Sequence, residues 1–134
     1  HPRPPSLIGG NGERKTLRLV ARYADACSFS GLTPAEVAHK VAVLREHCER
    51  EGRDFNEIEI TTNIRAVATP SLIAAYPDLA ALMATPEQAV EDIERLRELG
   101  VQHVIMSASL DLPEMIDVVA SEVMPRVNGQ PVAA

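Results

Sequence analysis

Gly9, Gly10, Asn11 and Gly12, followed by Arg14, are the residues of this chain best placed by type and spacing to do chemistry. A short apolar run, Ser6–Gly9, ends in glycine and passes through Gly10-Asn11-Gly12 into a helical pattern. That order predicts a strand, a tight turn and a helix start. The first amides of a helix have no partner within it and sit at the positive end of its dipole. Glycine lets a phosphate approach that backbone closely. A phosphate cradle is one expectation; an ordinary βα turn has the same pattern. A Walker A loop fails here because Lys15-Thr16 follows Arg14 rather than glycine. The dinucleotide fingerprint fails because its third glycine position is Lys15. A single phosphate remains compatible with the turn.

Other chemical candidates carry less. His39, His47 and Cys48 have no second metal-type spacing beside them, so no metal site is expected. Cys27 and Cys48 read as reduced core thiols of a cytoplasmic protein. His103 falls early in a strand, and Asp25 precedes its strand. No residue stands out as a general base, and the catalytic residues are unassigned. Arg14, Lys15, Arg18 and Arg22 form a local basic cluster, suited to an anion or to a solvated helix face.

The elements that must position these residues alternate. Helix one is expected over Gly12–Ala24, with Leu17, Val20, Ala21 and Ala24 at helical spacing, and strand two over Ala26–Phe29. Thr33-Pro34-Ala35-Glu36 is a capping box opening a helix with Val37, Val41, Leu44 and Cys48 on its buried face and Gly52 at its end. Strand three is expected over Glu57–Val67, then a short helix within Ser71–Leu82 broken near Pro77. Thr85-Pro86-Glu87-Gln88 repeats the cap before a helix carrying Val90, Ile93 and Leu96. Strand four is expected over Val101–Ser107, and Asp111-Leu112-Pro113-Glu114 caps a last helix with Met115, Ile116, Val119 and Val123.

Four strand–helix units predict an α/β fold with parallel strands, either an open doubly wound sheet or part of a (βα)8 barrel. Strand three favours the barrel. Ile58, Ile60, Thr62 and Ile64 share one face, while Glu59, Thr61, Asn63 and Arg65 share the other. A strand covered by helices on both sides is apolar on both. A barrel opening into a polar cavity accounts for the difference and makes Asn63 and Arg65 cavity-wall candidates; an edge strand with one wet face is the alternative.

At 134 residues the chain can bury one core. Its net charge of −6 and lack of a basic stripe argue against general nucleic-acid binding. No apolar run reaches membrane-spanning length, and the proline-rich N-terminus lacks the apolar core of a signal peptide. Residues 1–127 are expected to form the folded part, with a disordered tail over 128–134.

At this point the residues resemble a known family. The stretch from Pro4 to Asp25, Pro-Pro-Ser-Leu-Ile-Gly-Gly-Asn-Gly-Glu-Arg-Lys-Thr-Leu onward, looks like the P-P-x-x-I-G-G-x-G-E-R-x-T-L segment of the luciferase-like monooxygenase superfamily, closest to its F420-dependent oxidoreductase branch. Ala84-Thr85-Pro86-Glu87-Gln88 and Leu99-Gly100-Val101-Gln102-His103-Val104-Ile105 are similar to that family's G-T-P-E-x-V and A-G-V-D-H-x-I. The resemblance extends to about Val127. It departs at Ala84, where glycine is usual, and at Ala26-Cys27, where glycine-tryptophan is frequent.

The resemblance implies the C-terminal half of a (βα)8 TIM barrel, strands five to eight. It implies that Gly9, Gly10, Asn11 and Gly12 contact the phosphate of coenzyme F420, or alternatively FMN, by backbone, with Arg14 nearby in the first turn. Loops that hold the cofactor ring and a small-molecule substrate belong to the other half. The expected function is therefore a piece of a flavin- or F420-dependent oxidoreductase, inactive alone. The alternative is a non-catalytic α/β binding or assembly module. A half-barrel exposes two sheet edges and an inner face, so a homo-oligomer is expected.

Overall fold

The computed structural model describes residues 3–106 and 113–129. Four strands form one sheet in the order β1 (Leu7–Gly9), β2 (Ala26–Phe29), β3 (Glu59–Ile64) and β4 (His103–Met106). β1 and β2 pair in parallel, as do β2 and β3. At the β3–β4 junction the Ile60 N–H donates to the Gln102 side chain at 2.7 Å and the Gln102 N–H donates to the Ile60 carbonyl at 3.0 Å. Sequential parallel neighbours joined by helices are the α/β architecture the alternation predicts.

The described chain divides into two compact units. The first comprises residues 3–63 and 96–105. It holds β1–β3, helices α1 (Thr16–Tyr23) and α2 (Pro34–Glu51), and most of β4. Its core is Leu17, Val20 and Ala21 of α1, Val37, Leu44 and Cys48 of α2, Cys27, Phe29 and Ile60 of the sheet, and Ile58 just before β3, all buried. α2 forms where expected: Thr33 Oγ1 accepts from the Glu36 N–H, Glu36 accepts from the Thr33 N–H at 2.8 Å, and Gly52 closes the helix.

The second unit comprises residues 64–95 with 106 and 113–129. Val67, Leu72, Ala84, Ala89, Met115 and Val123 form its core. Helix α3 (Pro70–Ala75) gives way to a 3-10 segment at Pro77–Leu82, the break expected near Pro77. Helix α4 (Pro86–Glu98) has both legs of its capping box, Gln88 N–H to Thr85 Oγ1 at 3.2 Å and Thr85 N–H to Gln88 Oε1 at 3.0 Å. Helix α5 (Pro113–Val118) continues through a π-helical turn, Val119–Val123, into α6 (Met124–Val127).

Several boundaries differ from expectation. α1 starts at Thr16, not Gly12: residues 13–15 form a turn, and the Leu17 N–H reaches back to the Gly12 carbonyl at 3.0 Å. Lys15, at the N-cap, has no side-chain acceptor to close a regular first turn. Strand three is shortened at both ends. Asp54 caps a 3-10 turn over Phe55–Glu57, and Val67 instead makes an isolated bridge with Ala84. The Asp111 cap, Ser107 and residues 130–134 of the expected tail lie outside the described residues; Asn128-Gly129 is a turn.

Candidate functional site

The parallel register decides which side chains share a face of the first unit. Ile8, Cys27 and Ile60 are aligned, with Phe29 beside Thr62; all but half-buried Ile8 are buried. On the other face lie Leu7, Ala26 and Glu59 in one row, and Gly9, Ser28 and Thr61 in the next. Leu7 is 56% exposed and Ile105 is 37% exposed. His103 Nδ1 stands 3.5 Å from Glu59 Oε1 at the beginning of β4, so it belongs to the N-terminal rim of the sheet. Thr61 Oγ1 is buried with no hydrogen-bond partner among the described residues. The sheet thus has one dry face and one polar face.

The glycine bend follows β1 directly. The Gly10 N–H donates to the Ser28 carbonyl at 3.0 Å, ending the β1–β2 ladder. Gly10 then adopts φ +128°, a conformation that L side chains rarely take. Asn11 makes a two-way clasp with the loop after β2: its Nδ2 donates to the Ser30 carbonyl at 2.8 Å, and its Oδ1 accepts from the Ser30 N–H at 3.3 Å. A Cβ on Gly12 would stand 2.8 Å from Thr16 Oγ1, so the chain there is folded tightly onto the start of α1. Among the described residues, the N–H groups of residues 11–16 donate no hydrogen bond. Buried or constrained amides normally find a partner, so this run of donors is a feature to be satisfied by water or by an anion.

Charge around the bend is sorted by ion pairs. Arg18 and Arg22 both bind Glu51, at 3.1 and 3.2 Å, and so belong to the α1–α2 surface. Arg14 and Lys15 are exposed beside the bend. Glu13, the acid of the bend itself, is paired by α2: Lys40 Nζ lies 2.5 Å and His39 Nε2 3.0 Å from its Oε1. The Lys40 hydrogen bond is the main cause that lowers the Glu13 pKa below the ordinary carboxylate value. His47, buried, donates from Nε2 to the Glu13 carbonyl at 2.7 Å. These α2 partners were not among the sequence-derived site residues. Their signal was present in His39-Lys40 and His47, polar residues flanking the apolar Val37, Val41, Leu44 and Cys48 stripe.

The remaining candidates are placed as follows. Asn63 is half-buried near the C-terminal end of β3. Arg65, just beyond that strand, is exposed and pairs with Asp92 of α4 at 3.0 Å. Asp25 is a structural anchor: it receives both guanidinium nitrogens of Arg3, at 2.6 and 2.8 Å, and the Ser6 N–H at 2.6 Å. Those hydrogen bonds, Arg3 first, pull its carboxyl down to about 2. Cys27 and Cys48 are free and buried, and burial pushes the Cys27 thiol up to about 12. Among the described residues, no cluster of three or more His, Cys, Asp or Glu could hold a metal ion.

No protein-family model matches the sequence, and no curated protein matches it by sequence. Solved structures do match by fold. The coenzyme F420-dependent tetrahydromethanopterin reductase of Methanopyrus kandleri superposes with a TM-score of 0.66 at 16% identity, over 92% of this chain and 51% of that one. A long-chain alkane monooxygenase gives a TM-score of 0.72 at 11% identity, over 97% of this chain and 43% of that one. A riboflavin lyase with modified FMN and riboflavin gives 0.67 at 14% identity, over 98% and 44%. This chain therefore spans about half the length of the structures it matches, and its parallel α/β fold is that of about half of each of them.

Proposed function

We propose that this chain forms the C-terminal half of a flavin- or F420-dependent oxidoreductase barrel, and that its glycine bend takes the phosphate of the coenzyme. The observation that carries this is the run of unpartnered amides at residues 11–16, bracketed by the special conformation of Gly10. Successive N–H groups at such a bend suit an anion, and the lack of a Cβ at Gly10 and Gly12 keeps the backbone accessible. Arg14 adds a positive charge, and Glu13 is withdrawn from opposing the anion by its pairing with Lys40. Asn63, at the end of β3, is the cavity-wall candidate of the first unit; Arg65 is engaged by Asp92 in the second.

F420 is the favoured coenzyme, from the sequence resemblance and from the dependence named for the Methanopyrus reductase; FMN is the alternative, named for the riboflavin lyase. When bound, such a group supplies the redox chemistry, and the protein supplies position and electrostatics. In this chain the bend fixes the anionic end, the polar face of the sheet forms one wall, and the substrate-binding loops belong to the other half of the barrel. The chain alone is expected to have no turnover. Among the described residues β1 and β4 are the outer strands of the sheet, and with the exposed Leu7 and Ile105 they favour association with a second copy. Among the described residues no helix is long and apolar enough to cross a membrane, and the reduced, buried thiols fit a cytoplasmic setting.

Titration with F420, FMN and inorganic phosphate tests the reading. Micromolar coenzyme binding that Gly10→Val abolishes supports it; binding to none of the three refutes it. Detectable F420- or FMN-dependent oxidoreduction by the purified chain would overturn the claim of inactivity. A monodisperse monomer by light scattering at micromolar concentration would overturn self-association. A non-catalytic binding or assembly module is the second reading, favoured by the bend's own clasp, in which Asn11 ties it to Ser30 in the loop after β2.

A further inference from the structure

The glycine bend is joined to the rest of the first unit by a small set of polar ties. Beyond Gly10, its polar ties are the Asn11–Ser30 clasp, the Gly12 carbonyl to Leu17 and the contacts of Glu13. Glu13 is tied at two points by one helix. Its backbone carbonyl accepts from His47 at 2.7 Å, and its carboxylate is held by Lys40 and His39. Both ties cross from the bend to α2, between residues 26 to 34 positions apart in sequence. Lys40 is only 17% exposed and His47 is buried, so these contacts are shielded more than ordinary surface pairs. Fixing one residue at both its main chain and its side chain fixes the rotation of the peptides on either side of it. Those peptides carry the unpartnered N–H groups of residues 13 and 14, in the middle of the run 11–16.

Resting on the coenzyme reading above, we propose that Glu13, Lys40 and His47 form a clamp by which α2 preorganises the bend for its anion. Glu13 and Lys40 are positioning residues. They are engaged with each other and act on the ligand through the backbone. The clamp also places a neutralised pair, rather than a bare carboxylate, beside the incoming negative charge. Preorganisation raises affinity because the ordering cost is met during folding rather than on binding.

The test compares Lys40→Met, Lys40→Arg and Glu13→Gln in the full chain, leaving the buried His47 intact. NMR order parameters of the amides at residues 11–16 are expected to fall from about 0.85 to below about 0.6 in Lys40→Met, while those of α2 stay high. The dissociation constant for FMN is expected to rise about tenfold, equivalent to about 1.4 kcal/mol. Lys40→Arg, which keeps the charge and donors, is expected to restore both. Unchanged order parameters in Lys40→Met and Glu13→Gln overturn the clamp. So does a loosened bend with unchanged FMN affinity. If the unmodified chain binds no FMN, F420 or phosphate while the variants still loosen the bend, the coenzyme reading fails and the ordering role of the clamp stands.

Discussion

Replacing Gly10 with alanine separates the role of the bend in folding from its role in binding. At φ +128° Gly10 lies outside the left-handed helical region that other residues occasionally visit. A side chain held in so sparse a region costs about 1–3 kcal/mol. Alanine also restricts the unfolded chain, which returns about 0.4–1 kcal/mol. The added Cβ would meet Thr16 Cγ2 at 3.4 Å, a contact that needs little adjustment. The net expectation is a loss of about 1–2 kcal/mol, read as a fall of about 0.5–1 M in the urea midpoint at constant slope. Gly52→Ala is the control. Gly52 has φ +66° at the end of α2 with nothing within 4 Å of its added Cβ, so it costs about 1–2 kcal/mol for the left-handed conformation alone. Both variants are expected to be less stable, but only Gly10→Ala is expected to weaken FMN or phosphate binding, measured by fluorescence quenching and by NMR shifts of the residue 11–16 amides. Equal affinities in the two variants, or a Gly10→Ala protein as stable as the parent, would refute the claim that this backbone conformation builds the site.

Phe29 is fully buried in the first unit, so Phe29→Ala is expected to cost about 3–5 kcal/mol by chemical denaturation. Asp25 has a carboxyl lowered to about 2 by Arg3 and Ser6, so the stability it contributes is present above its ordinary value of 3.8 and is lost as pH falls through about 2. Arg3→Ala is expected to move its NMR-detected titration upward, and an unmoved midpoint would show that Arg3 is not the main cause. Cys27, with its thiol pushed up to about 12 by burial, is expected to resist a thiol reagent near neutral pH until the chain is unfolded; prompt labelling of the native protein would contradict that. Arg65→Met is expected to change stability by less than about 1 kcal/mol, because its pair with Asp92 is nearly half-exposed on the arginine side.

Much of the scaffold was legible in local patterns. The threonine caps at Thr33 and Thr85 each need only residues within three positions of one another, and both legs of each box form. The alternation of Ile58, Ile60 and Thr62 with Glu59, Thr61 and Asn63 foretold a sheet with one dry and one polar face. A strand's period of two places side chains without reference to the rest of the chain. The start of α1 was misplaced because a glycine turn and an uncapped helix have no local side-chain signal to fix the boundary.

The sequence by itself determined the order of the elements, the parallel character of the sheet and the position of the glycine bend, because periodicity, caps and turn residues act over a few neighbours. Only the tertiary structure decided what holds that bend. Asn11 is claimed by Ser30, and Glu13 by Lys40, His39 and His47. Arg65 is drawn to Asp92, and Arg18 and Arg22 to Glu51. Charged and amide side chains choose partners by distance in space, at separations of 19 to 34 positions in these cases, so no window of sequence shows which of them stay free to meet a ligand.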